Sequence, residues 1–219
     1  MKKIILYFLA VLVVGVIGLL VGLNMDARAV NKEARLVERE LRAMSIRLDN
    51  FSKELYPLAL RVAVYHALSA GAKGKLNGLE VWQITDLIID YCRQNEDAGL
   101  TPSVILSVWR QESNFDPDAL SNKNAMGMGQ VLWTTALPYL YAMGHVRPNK
   151  AIMFDPVVNA EISIKHLLRL RQFYLGIGVK DWLWVFSEYF WGRGNIGKIL
   201  WYAWEVMERV EKYKSRGVS

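Results

Sequence analysis

The chain opens with an uncharged run of twenty residues, Ile4 to Leu23, directly after Lys2 and Lys3. As a helix rising about 1.5 Å per residue, this run would be about 30 Å long, which matches the hydrocarbon core of a bilayer. The two lysines favour a cytoplasmic N-terminus. Residues 1–25 are therefore predicted to be a single-pass transmembrane anchor, with the rest of the chain outside the cytoplasm. A signal segment cleaved after Ala29 is the alternative.

Residues 26–68 show a heptad pattern, in which apolar residues recur at alternating spacings of four and three and charged residues fill the positions between them. This pattern predicts a long amphipathic helix with a narrow apolar seam. The seam could pair with a second copy as a coiled coil, or pack against the chain's own domain or another protein. Pro57 is expected to kink or restart the helix. The seam, within residues 30–65, consists of Val30, Ala34, Val37, Leu41, Met44, Leu48, Phe51, Leu55, Leu58, Val62 and Tyr65.

The remaining sequence is mostly helical in its periodicity. Residues 69–78 are small, basic and glycine-bearing, which predicts a linker before a globular domain at 79–219. Residues 114–130 are predicted to be loop or short turns, and no strand pattern is found. The fold class is thus mostly α, with an N-terminal transmembrane helix, a heptad helix and a globular all-α domain. Helices of that domain are predicted at about 79–95, 101–113, 134–143, 155–174, 181–191 and 198–213.

Composition narrows the functional classes. With 53% hydrophobic residues the chain is not disordered, and its net charge of +6 comes without a nucleic-acid-binding motif, so no nucleic-acid partner is predicted. The positive charge suits an anionic surface. Cys92 is the only cysteine and is predicted to be a buried small residue. The three histidines share no ligand spacing, so neither a metal nor another cofactor is predicted.

The candidate chemistry lies in residues 104–130. An apolar helical segment ends at Glu112, and a polar, glycine-bearing loop follows and closes on Gln130. Burial disfavours the charged form of a carboxyl, so an acid at the end of such a helix can stay protonated near neutral pH. Glu112 is therefore a candidate proton donor. Taken alone, it is better explained as a helix-surface acid paired with Arg110 or a lysine.

The same stretch resembles the catalytic core of lytic transglycosylases of the soluble-lytic-transglycosylase type, a domain related to goose-type lysozyme. The resemblance extends over about residues 80–214 and includes a Phe154-Asp155-Pro156-x-x-Asn159 element and Tyr189 before two glycines. The sequence departs from the family pattern at Asn124, at Met128-Gly129 and at Phe190. The matching residues of the core motif are Glu112, Ser113, Phe115, Pro117, Ala119, Ser121, Ala125, Gly127 and Gln130.

This resemblance implies a lysozyme-like fold and an enzyme that acts on peptidoglycan. Together with the predicted anchor, it predicts a membrane-anchored enzyme on the periplasmic side. The reaction implied is cleavage of the β-1,4 bond between N-acetylmuramic acid and N-acetylglucosamine, with a 1,6-anhydro ring formed on the muramyl sugar. Glu112 would serve as the single acid and base, without a cofactor. A lysozyme-type hydrolase and a non-catalytic, membrane-tethered glycan-binding scaffold are the two alternatives.

The resemblance also implies five substrate-binding residues, Ser113, Ser121, Met128, Gln130 and Tyr189. Ordinary structural explanations exist for three of them: a serine bonding its own helix end, a core methionine and a buried aromatic residue. The family's cleft methionine stands just before the glutamine, a position that Gly129 holds here. The hydroxyl of Tyr189 is expected to point at Glu112 or at the reacting sugar.

Overall fold

The computed structural model describes residues 27–191 and 200–218. The predicted anchor at 1–25 lies outside the described residues, as do the two motif glycines that follow Trp191. None of the helices in the described ranges is long and apolar enough to cross a membrane. These ranges are mostly helical, which confirms a mostly α fold, and the chain divides into two units between Pro57 and Leu58.

Helix α1, Ala27–Ala72, carries the heptad pattern. It continues through Pro57, so the expected restart there does not occur. A proline removes only one backbone donor, and the hydrogen bonds on either side keep the helix together. In the first unit the seam faces solvent at Val37, Met44, Leu48, Phe51 and Leu55.

The second unit begins with the last turns of α1, where Val64, Leu68 and Ala72 are buried in the core. Because the helix extends to Ala72, the connection to the next helix is shorter than the predicted linker of residues 69–78. The next helix has a capping box, in which Asn77 accepts hydrogen bonds from the backbone of Leu79 and Glu80 while the Glu80 carboxylate accepts from the Asn77 N–H.

Six α-helices follow among the described residues of this unit, most within a few residues of their predicted bounds, and two 3₁₀ helices lie at Glu96–Ala98 and Lys150–Phe154. The helix predicted at about 134–143 starts at Trp133 directly after a strand, with Leu132 at its N-cap and no side-chain cap. Pro102 and Pro156 stand at the first positions of their helices, where the missing N–H costs no helical hydrogen bond. The helices are α2 (Gly78–Gln94), α3 (Pro102–Glu112), α4 (Trp133–Ala142), α5 (Pro156–Gly176), α6 (Trp182–Trp191) and α7 (Leu200–Lys214).

A two-stranded antiparallel sheet was not predicted. Strands β1 (Ala125–Met126) and β2 (Val131–Leu132) pair Ala125 with Leu132 and Met126 with Val131. Each strand has only two residues, too few to produce a detectable alternation of polar and apolar positions. This small hairpin contains the second half of the sequence motif.

Helix α3 lies in the centre of the core. Every residue from Pro102 to Trp109 is buried, and the helix packs against α7 and α2. Cys92 on α2 is buried as predicted, and burial raises the pKa of its thiol to about 12. Because α3 is enclosed almost to its last turn, Glu112 at its C-terminus stands where the core meets solvent.

Candidate active site

The end of α3 is fixed by the turn that follows it. Ser113 terminates the helix, and Asn114 and Phe115 take positive φ angles of 57° and 60°, a strained conformation for residues other than glycine. The ring of Phe115 is fully buried against Gly71, where a Cβ atom would come within 2.5 Å of it. This burial stabilises the turn and so fixes the position of Glu112.

Ser113 fastens the helix end to the hairpin. Its hydroxyl donates to the carbonyl of Met128 at 2.7 Å and accepts from the N–H of Asp116 at 3.0 Å. Both contacts are to backbone, and Ser113 does not line the cavity that holds Glu112. Ser113 therefore stabilises the end of its own helix through hydrogen bonds to backbone, which is the ordinary explanation for a serine at a helix end.

The carboxyl of Glu112 is the central group of the site. It accepts a hydrogen bond from the hydroxyl of Tyr202 at 2.5 Å. Burial raises the pKa of Glu112 to about 8, although the Tyr202 hydrogen bond acts in the opposite direction. At neutral pH the carboxyl is therefore mostly protonated, and it can donate a proton to a group in the cavity.

Glu112 lies in a cavity of about 590 Å³, large enough for a sugar unit. Of the residues predicted from the sequence, the structure brings Ser121, Gln130 and Tyr189 to this cavity together with Glu112. The other lining residues are Asn122, Lys123, Ala125, Val131, Leu132, Thr135, His166, Leu170, Glu188 and Phe190.

Ser121 and Gln130 shape the loop on one side of the cavity. The Ser121 hydroxyl accepts from the N–H of Ala125 at 3.0 Å. The side-chain amide of Gln130 donates to the carbonyls of Ala119 and Gly127 at 3.1 and 2.9 Å. Both residues thus hold the loop in place, and both also present atoms to the cavity.

Met128 does not line the cavity, contrary to its predicted substrate-binding position. Its side chain is fully buried in the core, where it packs as an apolar filler. The register is the physical reason, because Gly129 and not Met128 holds the position that the family resemblance puts in the cleft. The carbonyl of Gly129 accepts from the hydroxyl of Tyr189 at 2.7 Å.

Tyr189 lies beside Glu112 as well. Burial raises the pKa of the Tyr189 hydroxyl well above its ordinary value, and the charge of Glu112 raises it further. The hydroxyl is therefore a permanent donor, and its hydrogen bond goes to Gly129 rather than to Glu112. In this state Tyr189 links helix α6 to the hairpin.

Asn159 on α5 organises the same hairpin from behind. Its amide donates to the carbonyls of Met126 and Met153 at 2.9 and 3.0 Å, and its side-chain oxygen accepts from the N–H of Gly129 at 2.7 Å. Gly127 has a positive φ of 72°, and a Cβ atom there would lie 2.3 Å from Asn159. The sequence signal for this contact was the Phe-Asp-Pro-x-x-Asn element.

Sequence reasoning missed Tyr202, the partner of Glu112. It stands 90 residues later in the chain and is fully buried on α7. Phe190 stacks on it, with ring centroids 4.3 Å apart and an interplanar angle of 22°. Phe190, a departure from the family pattern, therefore packs against the residue that bonds Glu112. A tyrosine on the buried face of an amphipathic helix gives no signal of this role.

Two titratable groups in the cavity also had no predicted role. Burial, with Arg169 nearby, lowers the pKa of His166 to about 4, so its ring is neutral at pH 7. Glu188 is a second carboxyl in the cavity lining, and it accepts from the hydroxyl of Tyr174 at 2.8 Å. Across residues 27–191 and 200–218, no cluster of histidine, cysteine or acidic side chains suits a metal ion.

Tyr202→Phe is expected to raise the pKa of Glu112 above about 8. The hydrogen bond from Tyr202 favours the ionised carboxylate, and phenylalanine retains the ring that stacks on Phe190. NMR titration of the glutamate side-chain carboxyl, assigned with Glu112→Gln, measures the shift. Tyr141→Phe, at an exposed tyrosine outside the cavity, is the control and should leave the pKa unchanged. An unchanged pKa in Tyr202→Phe would contradict this account of the Tyr202 contact.

Comparisons with known proteins find relatives that match part of this chain. Membrane-bound lytic murein transglycosylase C of Mannheimia succiniciproducens is 35% identical over 79 residues, which are 35% of this chain and 22% of that protein. Its counterpart in Serratia proteamaculans is 33% identical over 86 residues, 38% of this chain and 24% of that protein. The chain thus matches less than a quarter of the length of these relatives.

Among solved structures, an inactive mutant of the lytic transglycosylase Slt from Pseudomonas aeruginosa aligns with a TM-score of 0.47 and 20% identity, covering 57% of this chain and 23% of that one. The soluble lytic transglycosylase Slt70 from Escherichia coli aligns over 84% of this chain and 33% of its own, with a TM-score of 0.41 and 15% identity. Residues 91–206, more than half of the chain, match the family described as Transglycosylase SLT domain. The chain therefore belongs to the transglycosylase SLT domain family.

Proposed function

We propose that this chain is a peptidoglycan lytic transglycosylase, with Glu112 as its single acid and base. The observation that carries the proposal is the carboxyl of Glu112, which lies in a sugar-sized cavity with a pKa raised to about 8 by burial. A group that first donates and then accepts a proton works best when its pKa is near the working pH. Family membership supplies the substrate class.

The reaction then proceeds in two proton transfers. Protonated Glu112 donates its proton to the oxygen of the β-1,4 bond between N-acetylmuramic acid and N-acetylglucosamine, and the bond breaks. The muramyl N-acetyl group stabilises the oxocarbenium-like carbon that results. The carboxylate of Glu112 then takes the proton of the muramyl 6-hydroxyl as that oxygen bonds to the same carbon and closes the 1,6-anhydro ring. Tyr202 stabilises the carboxylate between the two transfers through its hydrogen bond.

The departures from the family pattern are compatible with catalysis. Asn124 has a φ of 61°, and asparagine takes this left-handed conformation more readily than most other non-glycine residues. Phe190 packs on Tyr202 and lines the cavity. Gly129 fits where a side chain would collide with Ser163. The fold accommodates each of these three residues without loss of the Glu112 cavity. This favours an enzyme over a non-catalytic glycan-binding scaffold.

One observation favours the alternative of a lysozyme-type hydrolase. Glu188 lines the same cavity as Glu112, and glycosidases that deliver water or form a covalent intermediate use two carboxyl groups. The hydroxyl of Tyr174 already donates a hydrogen bond to the Glu188 carboxylate. Glu188 is thus the residue to vary when the two mechanisms are compared.

The deciding experiment is digestion of purified peptidoglycan by the full chain, followed by mass spectrometry of the products. We expect muropeptides that lack one water relative to the hydrolysed forms, because the 1,6-anhydro ring forms without water. Glu188→Gln is expected to leave the product mass unchanged and to lower the rate by no more than about tenfold. Hydrated products, with loss of activity in Glu188→Gln, would establish the hydrolase instead.

We also propose that residues 4–23 attach the chain to a membrane. Support comes from the uncharged apolar run, and relatives that the chain matches are named as membrane-bound. The full chain is expected to stay in the membrane fraction through a high-salt wash, because apolar burial is not screened by salt. Release by salt, or a mature N-terminus at Val30, would contradict the anchor.

The heptad seam is proposed to bind a partner, with self-association as the version to test first. Most of its described apolar residues in the first unit are exposed, including Leu48 and Phe51, and Leu41 is partly exposed. Leu41→Asp combined with Leu48→Asp would place charges in the seam and is expected to weaken association while sparing glycan cleavage. Analytical ultracentrifugation measures the mass. A strict monomer at high concentration, unaffected by the change, would rule out self-association and leave a spacer or a different partner.

A further inference from the structure

A second cavity, of about 610 Å³, lies in the unit of residues 58–219 and shares no lining residue with the Glu112 cavity. Part of its lining comes from one face of α1, and the lining residues of that face are small apart from His66. The rest comes from α3, α7 and the turns that follow α1 and α7. The small residues are Ala63, Ala67, Ala70 and Gly71.

The cavity is strongly basic. Five cationic side chains line it, and none of its lining residues is acidic: Lys73, Arg110, Arg209, Lys212 and Arg216. Of these five side chains, only Arg209 has a carboxylate partner in the described part of the chain. That partner is Glu205, at a long separation of 3.8 Å. Most of this positive charge is therefore not balanced by ion pairs of the protein and is available to an anion.

The cations also lie close to one another. Burial raises the pKa of the Tyr213 hydroxyl, while the positive charges of Arg110, Arg216 and Arg209 lower it. Three guanidinium groups therefore lie within electrostatic range of this one hydroxyl. Arg216 is held there by a structured turn, because Val218 is buried and its N–H bonds the carbonyl of Tyr213 at 3.1 Å. Mutual repulsion of these charges is relieved when an anion binds.

From this arrangement we infer that the second cavity is a binding site for a phosphate-bearing anion. Arginine forks bind phosphate oxygens in pairs, and a phosphate or diphosphate group carries enough charge to engage several cations, which a single carboxylate does not. The cavity is larger than one phosphate, and its wall of small residues leaves room for an organic substituent. The ligand class is therefore a phosphate or diphosphate ester, either soluble or as a lipid headgroup.

Isothermal titration calorimetry of the full chain in non-ionic detergent, with inorganic pyrophosphate, tests the site. We expect one binding event, weakened at least about tenfold in Lys212→Gln combined with Arg216→Gln, because two cations at the cavity are lost. Both residues are exposed, so the core is untouched. The control pair, Arg93→Gln with Lys150→Gln, removes the same charge elsewhere on the surface and should weaken binding less than about twofold.

Three results would overturn the inference: absence of pyrophosphate binding to the wild type, equal weakening in both variant pairs, or citrate binding as tightly as pyrophosphate. The source of the phosphate is read from two further probes. One probe is dihexanoyl phosphatidic acid below its micelle concentration, and the other is glycerol 3-phosphate. If the lipid binds about tenfold tighter, the ligand is a lipid headgroup whose chains contact the small-residue wall. Similar affinities indicate a soluble ester. Because the two cavities are separate, these results are independent of glycan cleavage.

Discussion

Glu112→Gln is expected to lower the rate of glycan cleavage by about 10²- to 10⁴-fold, the effect of removing a general acid. Glutamine has nearly the shape of glutamate and can still accept the hydrogen bond from Tyr202, but it can neither donate the proton to the glycosidic oxygen nor take one from the 6-hydroxyl. Release of muropeptides from peptidoglycan measures the effect. Near-normal turnover in this variant, with an unchanged fold, would show that Glu112 is not the catalytic acid.

The pH dependence of stability in the same variant tests whether the carboxyl of Glu112 is buried in the folded protein. The pKa of Glu112 rises from 4.5 to about 8 on folding. Between these two pH values the carboxyl loses its proton in the unfolded chain but keeps it in the folded one. Ionisation therefore favours the unfolded chain, and the wild type loses stability as the pH rises through this window. Glutamine does not titrate. Relative to the wild type, Glu112→Gln should therefore gain on the order of 2–4 kcal/mol in unfolding free energy between pH 5 and pH 8.

Urea denaturation followed by tryptophan fluorescence measures this difference. The control is Asp116→Asn, because the hydrogen bond from Lys75 lowers the pKa of Asp116 below its usual 3.8. Its stabilising effect is present above that value and is lost only at lower pH, so the difference between Asp116→Asn and the wild type should stay constant from pH 5 to pH 8. A pH-independent difference for Glu112→Gln would mean that the Glu112 carboxyl is not buried as described.

Gly129→Ala is expected to destabilise the second unit by about 1–3 kcal/mol and to distort the site, as an extra methyl does in a well-packed core. The new Cβ would lie 2.4 Å from Cβ of Ser163 and 3.2 Å from the hydroxyl of Tyr189. Ser163 cannot move freely, because its hydroxyl accepts from the indole N–H of Trp109 at 2.8 Å and donates to the carbonyl of Ala160. Gly129→Met, which would introduce the family's usual residue, should destabilise at least as much.

Gly176→Ala is the matched control for this substitution. Gly176 is the last residue of α5, has no positive φ, and a Cβ atom there meets nothing within 4 Å. Alanine at such a position should be neutral or stabilising by a few tenths of a kcal/mol, through the unfolded state. Thermal unfolding separates the two outcomes. Equal melting temperatures for Gly129→Ala and the wild type would refute the close contact with Ser163.

Patterns along the sequence were enough to predict most of the helices, the candidate acid and the family. Hydrophobic periodicity placed most of the helices, and Pro102 and Pro156 stand at first helical positions, which proline favours whatever surrounds it. An apolar helix that ends in one acid made Glu112 a candidate, because burial of α3 follows from its composition. Ordered motif residues from Glu112 to Gln130 identified the family, since their spacing is a property of the sequence alone.

Contacts between distant segments were decided only by the tertiary structure. Tyr202 reaches Glu112 across 90 residues, and Glu188 enters the cavity from α6, so neither follows from a local pattern. Met128 is buried in the core instead of lining the cavity, and Asn159 and Tyr189 both bond the backbone of Gly129, the next residue. The basic cavity likewise gathers cations from four segments of the chain. Periodicity identifies which face of an element is buried, whereas the partner of each side chain depends on how the elements pack together.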